Sequence, residues 1–194
     1  MSEANANADA VVRAATERDI ERLAEVHVYS WQSAYPGLMP QDYLDAQDVG
    51  QRATQWRRWL VEPPPRVHVL LADHEREGVI GFAVAAPYRA EEGETHPGEH
   101  VGELAAIYAL AGHWGTGVGR RLMDAAVAEL AGEGFTDAVL WVIDGNVRAR
   151  RFYEAAGWAP DGARKLDQRG GWDIPEVRYR PGPARDRARM TAWR

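Results

Sequence analysis

The sequence predicts one α/β domain: a central mixed, mostly antiparallel sheet with a parallel β-α-β crossover and flanking helices. Three observations carry this. An apolar run at 103–110 passes through a glycine-dense turn (Gly115, Gly117, Gly119) into an amphipathic helix, in which Val118, Leu122, Met123, Ala126, Val127 and Leu130 recur at helical spacing. A nearly continuous apolar run at 136–143 follows, as expected of a strand covered on both faces, and Asp144-Gly145 turns it into another helix; a strand, helix, strand, helix series of these lengths is a parallel crossover. Upstream, two β-branched runs at 66–72 and 78–86 flank a polar turn at 73–77 and read as an antiparallel hairpin.

The other elements follow in order. A short strand at 11–15 precedes Thr16 and Asp19, spaced as a helix start; Ile20, Leu23, Ala24, His27, Val28 and Trp31 then mark a helix that stops before Pro36. A second helix is expected over 41–60, with Leu44, Val49, Ala53, Trp56 and Leu60 inward, and the prolines at 63–65 end it. Residues 87–100 read as a polar, acidic surface loop. His96 and His100 lie there, but Pro97 and Gly98 between them argue against a helical two-histidine site, so no metal is expected. After the crossover, Ala149, Phe152, Tyr153 and Ala156 share a helix face closed by Gly157. Strands at 158–162 and 172–180 complete the sheet around a polar turn at 165–171.

Length and composition bound the function. A chain of 194 residues suits one core, expected at 11–180 between flexible ends at 1–10 and 181–194. Without cysteine there is no disulfide, thiolate metal site or cysteinyl acyl-enzyme, and no Gly-x-Ser-x-Gly elbow offers a serine instead. The first residues lack the basic and apolar regions of a signal peptide, and no apolar run approaches about 18 residues, so a soluble cytoplasmic protein away from membranes is expected. A net charge of −6 argues against nucleic acid. Arg120, Arg121, Arg148, Arg150 and Arg151 cluster against that trend, and arginine forks suit phosphate oxygens.

The glycine turn is the chemical focus. A helix start presents unpaired N–H groups and a positive dipole end, and glycines let an anion approach the backbone. A P-loop is excluded because Gly-Lys-Ser/Thr is absent, and a dinucleotide fingerprint finds Arg120 where its third glycine is due.

Two stretches together resemble the GNAT superfamily of N-acetyltransferases. Its acetyl-CoA motif reads Gln/Arg-x-x-Gly-x-Gly/Ala, and here Trp114-Gly115-Thr116-Gly117-Val118-Gly119 stands with Trp in place of Gln or Arg. Its following motif, Asn-x-x-Ala-x-x-Phe-Tyr-x-x-x-Gly-Phe, is matched at Asn146, Ala149, Phe152, Tyr153 and Gly157, with Trp158 for Phe. The resemblance implies the GNAT fold, acetyl-CoA as donor and transfer to a primary amine. It implies that main-chain groups of Ile107, Tyr108 and Ala109 pair with the pantetheine arm, that Trp114 through Arg120 hold the pyrophosphate, and that Asn146 bonds the pantetheine. Asn146 equally suits a helix N-cap. The first helices would line the acceptor side, where Trp31, Tyr35, Leu38 and Met39 read either as core or as acceptor contacts.

The chemistry sets further demands. An alkyl amine with a pKa near about 10 must lose a proton before it attacks, and a thiol with a pKa near about 8.5 leaves more readily with an acid beside it. The resemblance makes Tyr153 the general acid. Glu103, opening the motif strand, is the candidate base through water, with Asp144 as an alternative. The acceptor is expected to be a small-molecule amine such as a polyamine, an amino acid or an amine-bearing antibiotic. A protein N-terminus or lysine is the alternative acceptor, and a non-catalytic acyl-CoA sensor is a third reading. A homodimer through the sheet edge or tail completes the partner expectations.

Overall fold

The computed structural model describes residues 10–90 and 98–182. Seven strands form one sheet in the order β1-β2-β3-β4-β5-β7-β6. They are β1 (Ala10–Ala14), β2 (His68–His74), β3 (Gly78–Pro87), β4 (Val101–Ala109), β5 (Asp137–Ile143), β6 (Trp158–Arg169) and β7 (Trp172–Pro181). Only β4 and β5 run parallel, because the crossover helix α4 (Val118–Gly132) joins them; every other neighbouring pair is antiparallel. Ala10 opens β1 and Pro181 closes β7, one residue beyond the expected domain ends, and the Ala10 carbonyl accepts from Arg121 of α4 at 2.7 Å. Residues 1–9 and 183–194 of the expected flexible ends, and His96 of the acidic loop, lie outside the described residues. Among the described residues no cluster of His, Asp or Glu fit to hold a metal is present, and no helix is long and apolar enough to cross a membrane.

Two apolar layers cover the sheet. On one face α4 lays Leu122, Met123, Ala126 and Leu130 on Leu70, Ile80 and Leu104. On the other, α1 (Ile20–Ala34) and α3 (Val49–Val61) bury Leu23, Val26, Ala53 and Trp56 against Leu71, Phe82 and Val84. The expected helix over 41–60 is two helices, α2 (Gln41–Asp45) and α3. Asp48 leaves the helical conformation and caps α3, its Oδ1 accepting from the Gln51 amide at 2.7 Å.

The polar segment expected to turn at 165–171 is mostly strand. β6 continues to Arg169, and only Gly170 and Gly171, both with positive φ, make the turn. Beyond an irregularity between Pro160 and Arg164, Ala163, Lys165, Asp167 and Arg169 alternate inward.

The sheet comes apart at one place. β4 pairs with β5 only from Val101 to Glu103, opposite Asp137 to Val139. Past that point β4 stays with β3 and β5 stays with β7, so two strand edges face each other across a gap. A bulge at Ala105 sits at the fork, since Leu104 opposes Ala85 and Ala106 opposes Val84. The bulge sends Leu104 and Ile107 to the α4 layer, and Ala106 and Tyr108 to the α1–α3 layer. The remaining helix, α5 (Val147–Ala155), follows β5.

Candidate active site

The gap is a cavity of about 440 Å³ whose walls come from β4, the start of α4, α5 and the β6–β7 hairpin. Its β4 wall is a row of backbone groups. The Leu110 amide donates to Ile80 of β3 at 2.9 Å, and antiparallel alternation then turns the amides of Ile107 and Ala109 away from β3, into the gap, while Tyr108 bonds toward β3. The Ala109 carbonyl accepts from the Trp114 indole at 2.9 Å, as that direction requires. These edge amides, on half-buried residues, are left without a strand partner, and an extended chain bearing amides of its own supplies one.

At the outer end, Gly115 and Gly117 have φ of +74° and +88°, and α4 starts directly after Gly117. The first-turn amides of α4 therefore open on the cavity, bordered by Arg120 and Arg148. Arg148 stacks on Trp114, its guanidinium 3.2 Å from the ring centroid. Trp114 thus performs two tasks: it closes the end of β4 and seats a cation from the next helix. A left-handed glycine turn, free helix-start amides and two arginines fit the phosphates of coenzyme A, and the gap amides fit its pantetheine.

Of the expected cofactor residues, Ile107, Tyr108, Ala109, Trp114, Gly115, Gly117, Gly119, Arg120 and Asn146 line this cavity. Thr116 and Val118 do not: the Thr116 hydroxyl donates to the His113 carbonyl at 2.7 Å, and Val118 is core. The five arginines divide. Arg121 is tied to β1, Arg150 binds Asp144 at 2.7 Å and the Tyr179 hydroxyl at 3.0 Å, and Arg151 is exposed. Asn146 caps α5 through Oδ1, accepting from the Ala149 amide at 3.1 Å, and still lines the cavity. Asp144 is held by Arg150 and Arg164 outside the cavity wall.

Tyr153 is buried on α5 and lines the gap. Burial, reinforced by the nearby Tyr108 and Glu176, raises its pKa well above that of a free phenol, so it stays protonated at neutral pH. Tyr35 shares the cavity and hydrogen-bonds the Tyr108 hydroxyl at 2.9 Å. Trp31, Leu38 and Met39 pack instead in a buried cluster with Leu44, Ile143 and Ile174.

Glu103 faces both this cavity and a second chamber of about 660 Å³ on the α1–α3 side. His27, Arg52, Trp56 and Trp59 contribute to the chamber from the helices, and Lys165, Asp167 and Arg169 from β6. Glu176 of β7 is buried, and meets Lys165 at 3.7 Å and Arg169 at 3.5 Å. Burial raises its pKa despite these cations. Lys165, Arg169 and Glu176 escape a sequence reading because a charged strand facing a cleft looks like a solvated turn; the period-two spacing of Lys165, Asp167 and Arg169 was the available signal.

A sheet split over a helix start, with a buried phenol in the split, fits an acyl-CoA-dependent N-acetyltransferase. The Acetyltransferase (GNAT) family model matches residues 27–158, and the chain belongs to that family. It is 33% identical over 135 residues to the uncharacterised N-acetyltransferase YuaI of Bacillus subtilis, covering 70% of this chain and 72% of the relative. Among solved structures, the PaiA N-acetyltransferase of Thermoplasma acidophilum in complex with coenzyme A superposes with a TM-score of 0.62 at 19% identity, covering 87% of this chain and 97% of the other. A ribosomal-protein-alanine N-acetyltransferase of Brucella melitensis gives 0.63 at 21% identity, covering 88% and 98%. The protein is an acetyltransferase, and acetyl-CoA is its acetyl donor.

Proposed function

We propose that this acetyltransferase acts on the primary amine of a small molecule held in the second chamber, with Tyr153 as general acid and Glu103 as general base. The observation that carries this reading is the position of Glu103 in the walls of both spaces, where a carboxylate reaches a donor on one side and an acceptor on the other. Acetyl-CoA in the gap supplies a thioester-activated acetyl group. The chain supplies the rest. Ile107 and Ala109 amides orient the donor arm, and the first turn of α4 with Arg120 and Arg148 holds its phosphates. Glu103, acting through water, takes the proton that a neutral amine must shed. Tyr153, kept protonated by burial, gives a proton to the departing sulfur. A pure acyl-CoA sensor needs neither of these two groups at the junction.

Release of free thiol from acetyl-CoA against a panel of amines tests this. Tyr153→Phe is expected to lower kcat by about 10²-fold or more while calorimetric CoA affinity stays within a few-fold. CoA binding without thiol release on any amine or peptide would favour the sensor instead, and release on peptides alone would assign a protein acceptor.

A further inference from the structure

The second chamber has a charge pattern that the transfer chemistry does not use. Its wall carries four cations (Arg52, Arg89, Lys165, Arg169) against two carboxylates, Glu103 and Asp167, in a chain whose net charge is −6. Arg169 is engaged by Asp167 and Glu176, and Lys165 by Glu176. Arg52 is different. Its guanidinium meets only neutral side-chain oxygens, Gln55 at 2.8 Å and Gln47 at 2.9 Å, and among the described residues no carboxylate pairs with it. It also shares the Trp31 ring with Arg169, the two guanidinium carbons lying 5.3 and 5.1 Å from the ring centroid. Two like charges on one indole, with one of them uncompensated, form a site that an anion relieves.

We infer that the acceptor is an amine that also carries a carboxylate, gripped by the Arg52 fork, while its amine lies toward Glu103. This rests on the acetyl-transfer reading above and narrows it. Amino acids and their relatives fit. Polyamines and polycationic antibiotics, which would bring further positive charge to this wall, do not.

The test uses matched acceptors: amino acids, the same molecules as carboxamides, their decarboxylated amines, and spermidine. Initial rates of thiol release are measured with the wild type, Arg52→Gln and Arg52→Lys. Acceptor binding without acetyl-CoA is followed in parallel through indole fluorescence, since Trp56 and Trp59 line the chamber. The wild type is expected to favour at least one carboxylate over its carboxamide by about tenfold or more in kcat/KM. That ratio is expected to fall about tenfold in Arg52→Gln and partly in Arg52→Lys, which keeps the charge but loses the fork. Thiol release that favours carboxamides or spermidine, or a ratio that survives Arg52→Gln, overturns the inference and leaves acetyl transfer standing. If no acceptor releases thiol, the transfer reading fails, and the fluorescence arm decides the chamber: saturable quenching by a carboxylate-bearing amine, weakened about tenfold in Arg52→Gln, upholds the anion site, and its absence refutes it.

Discussion

Asp19 joins the first strand to the first helix through one carboxylate. It accepts from both terminal nitrogens of Arg13, at 2.6 and 2.8 Å, and from the Thr16 amide and hydroxyl at 2.8 and 2.9 Å. The Arg13 fork is the largest influence, and it pulls Asp19 down to about 2 from an ordinary 3.8. A depressed carboxylate contributes stability that is present above the unfolded pKa and lost as pH falls through the folded one, here between about 4 and about 2. Asp19→Asn is therefore expected to cost about 1–2 kcal/mol at pH 7, and much less at pH 2.5, read from urea or thermal unfolding at the two values. The Thr16–Asp19 spacing was legible because a cap is local chemistry. Arg13 as its partner was not, since that meeting depends on β1 lying beside the turn.

Elements were legible where periodicity and burial agree. The α4 stripe and the apolar β5 run come from residues facing core, so hydrophobicity announces them. Two elements diverged for opposite reasons. The break before α3 is written in Asp48 and Gln51, an Asp-x-x-Gln cap, but the apolar spacing on either side runs through it. β6 borders a charged cleft, so its inward face is Lys165, Asp167 and Arg169 rather than apolar. The turn before α4 makes its own prediction. At φ of +88°, a side chain at Gly117 is strained by about 1–2 kcal/mol, and relaxing that strain swings the first-turn amides off the phosphate position. Gly117→Ala is expected to lower stability by that amount and weaken calorimetric CoA affinity about tenfold or more, the worth of one lost charge-assisted N–H bond.

For the whole molecule, topology makes the site. One crossover places β5 parallel to β4, the bulge at Ala105 turns β4 at the fork, and antiparallel pairing with β7 holds β5 away once Glu103 is passed. The sheet therefore ends inside the protein, with two strand edges facing each other. That split was accessible from the sequence only through resemblance of its motifs, because no single residue encodes a missing pairing. Residue-resolved amide hydrogen exchange, with and without saturating acetyl-CoA, tests it most directly. The Ile107 and Ala109 amides should slow about tenfold or more on binding, while Tyr108, already bonded toward β3, should change little. Exchange at Ile107 and Ala109 that ignores a saturating donor, or slowing confined to other strands, would contradict the account.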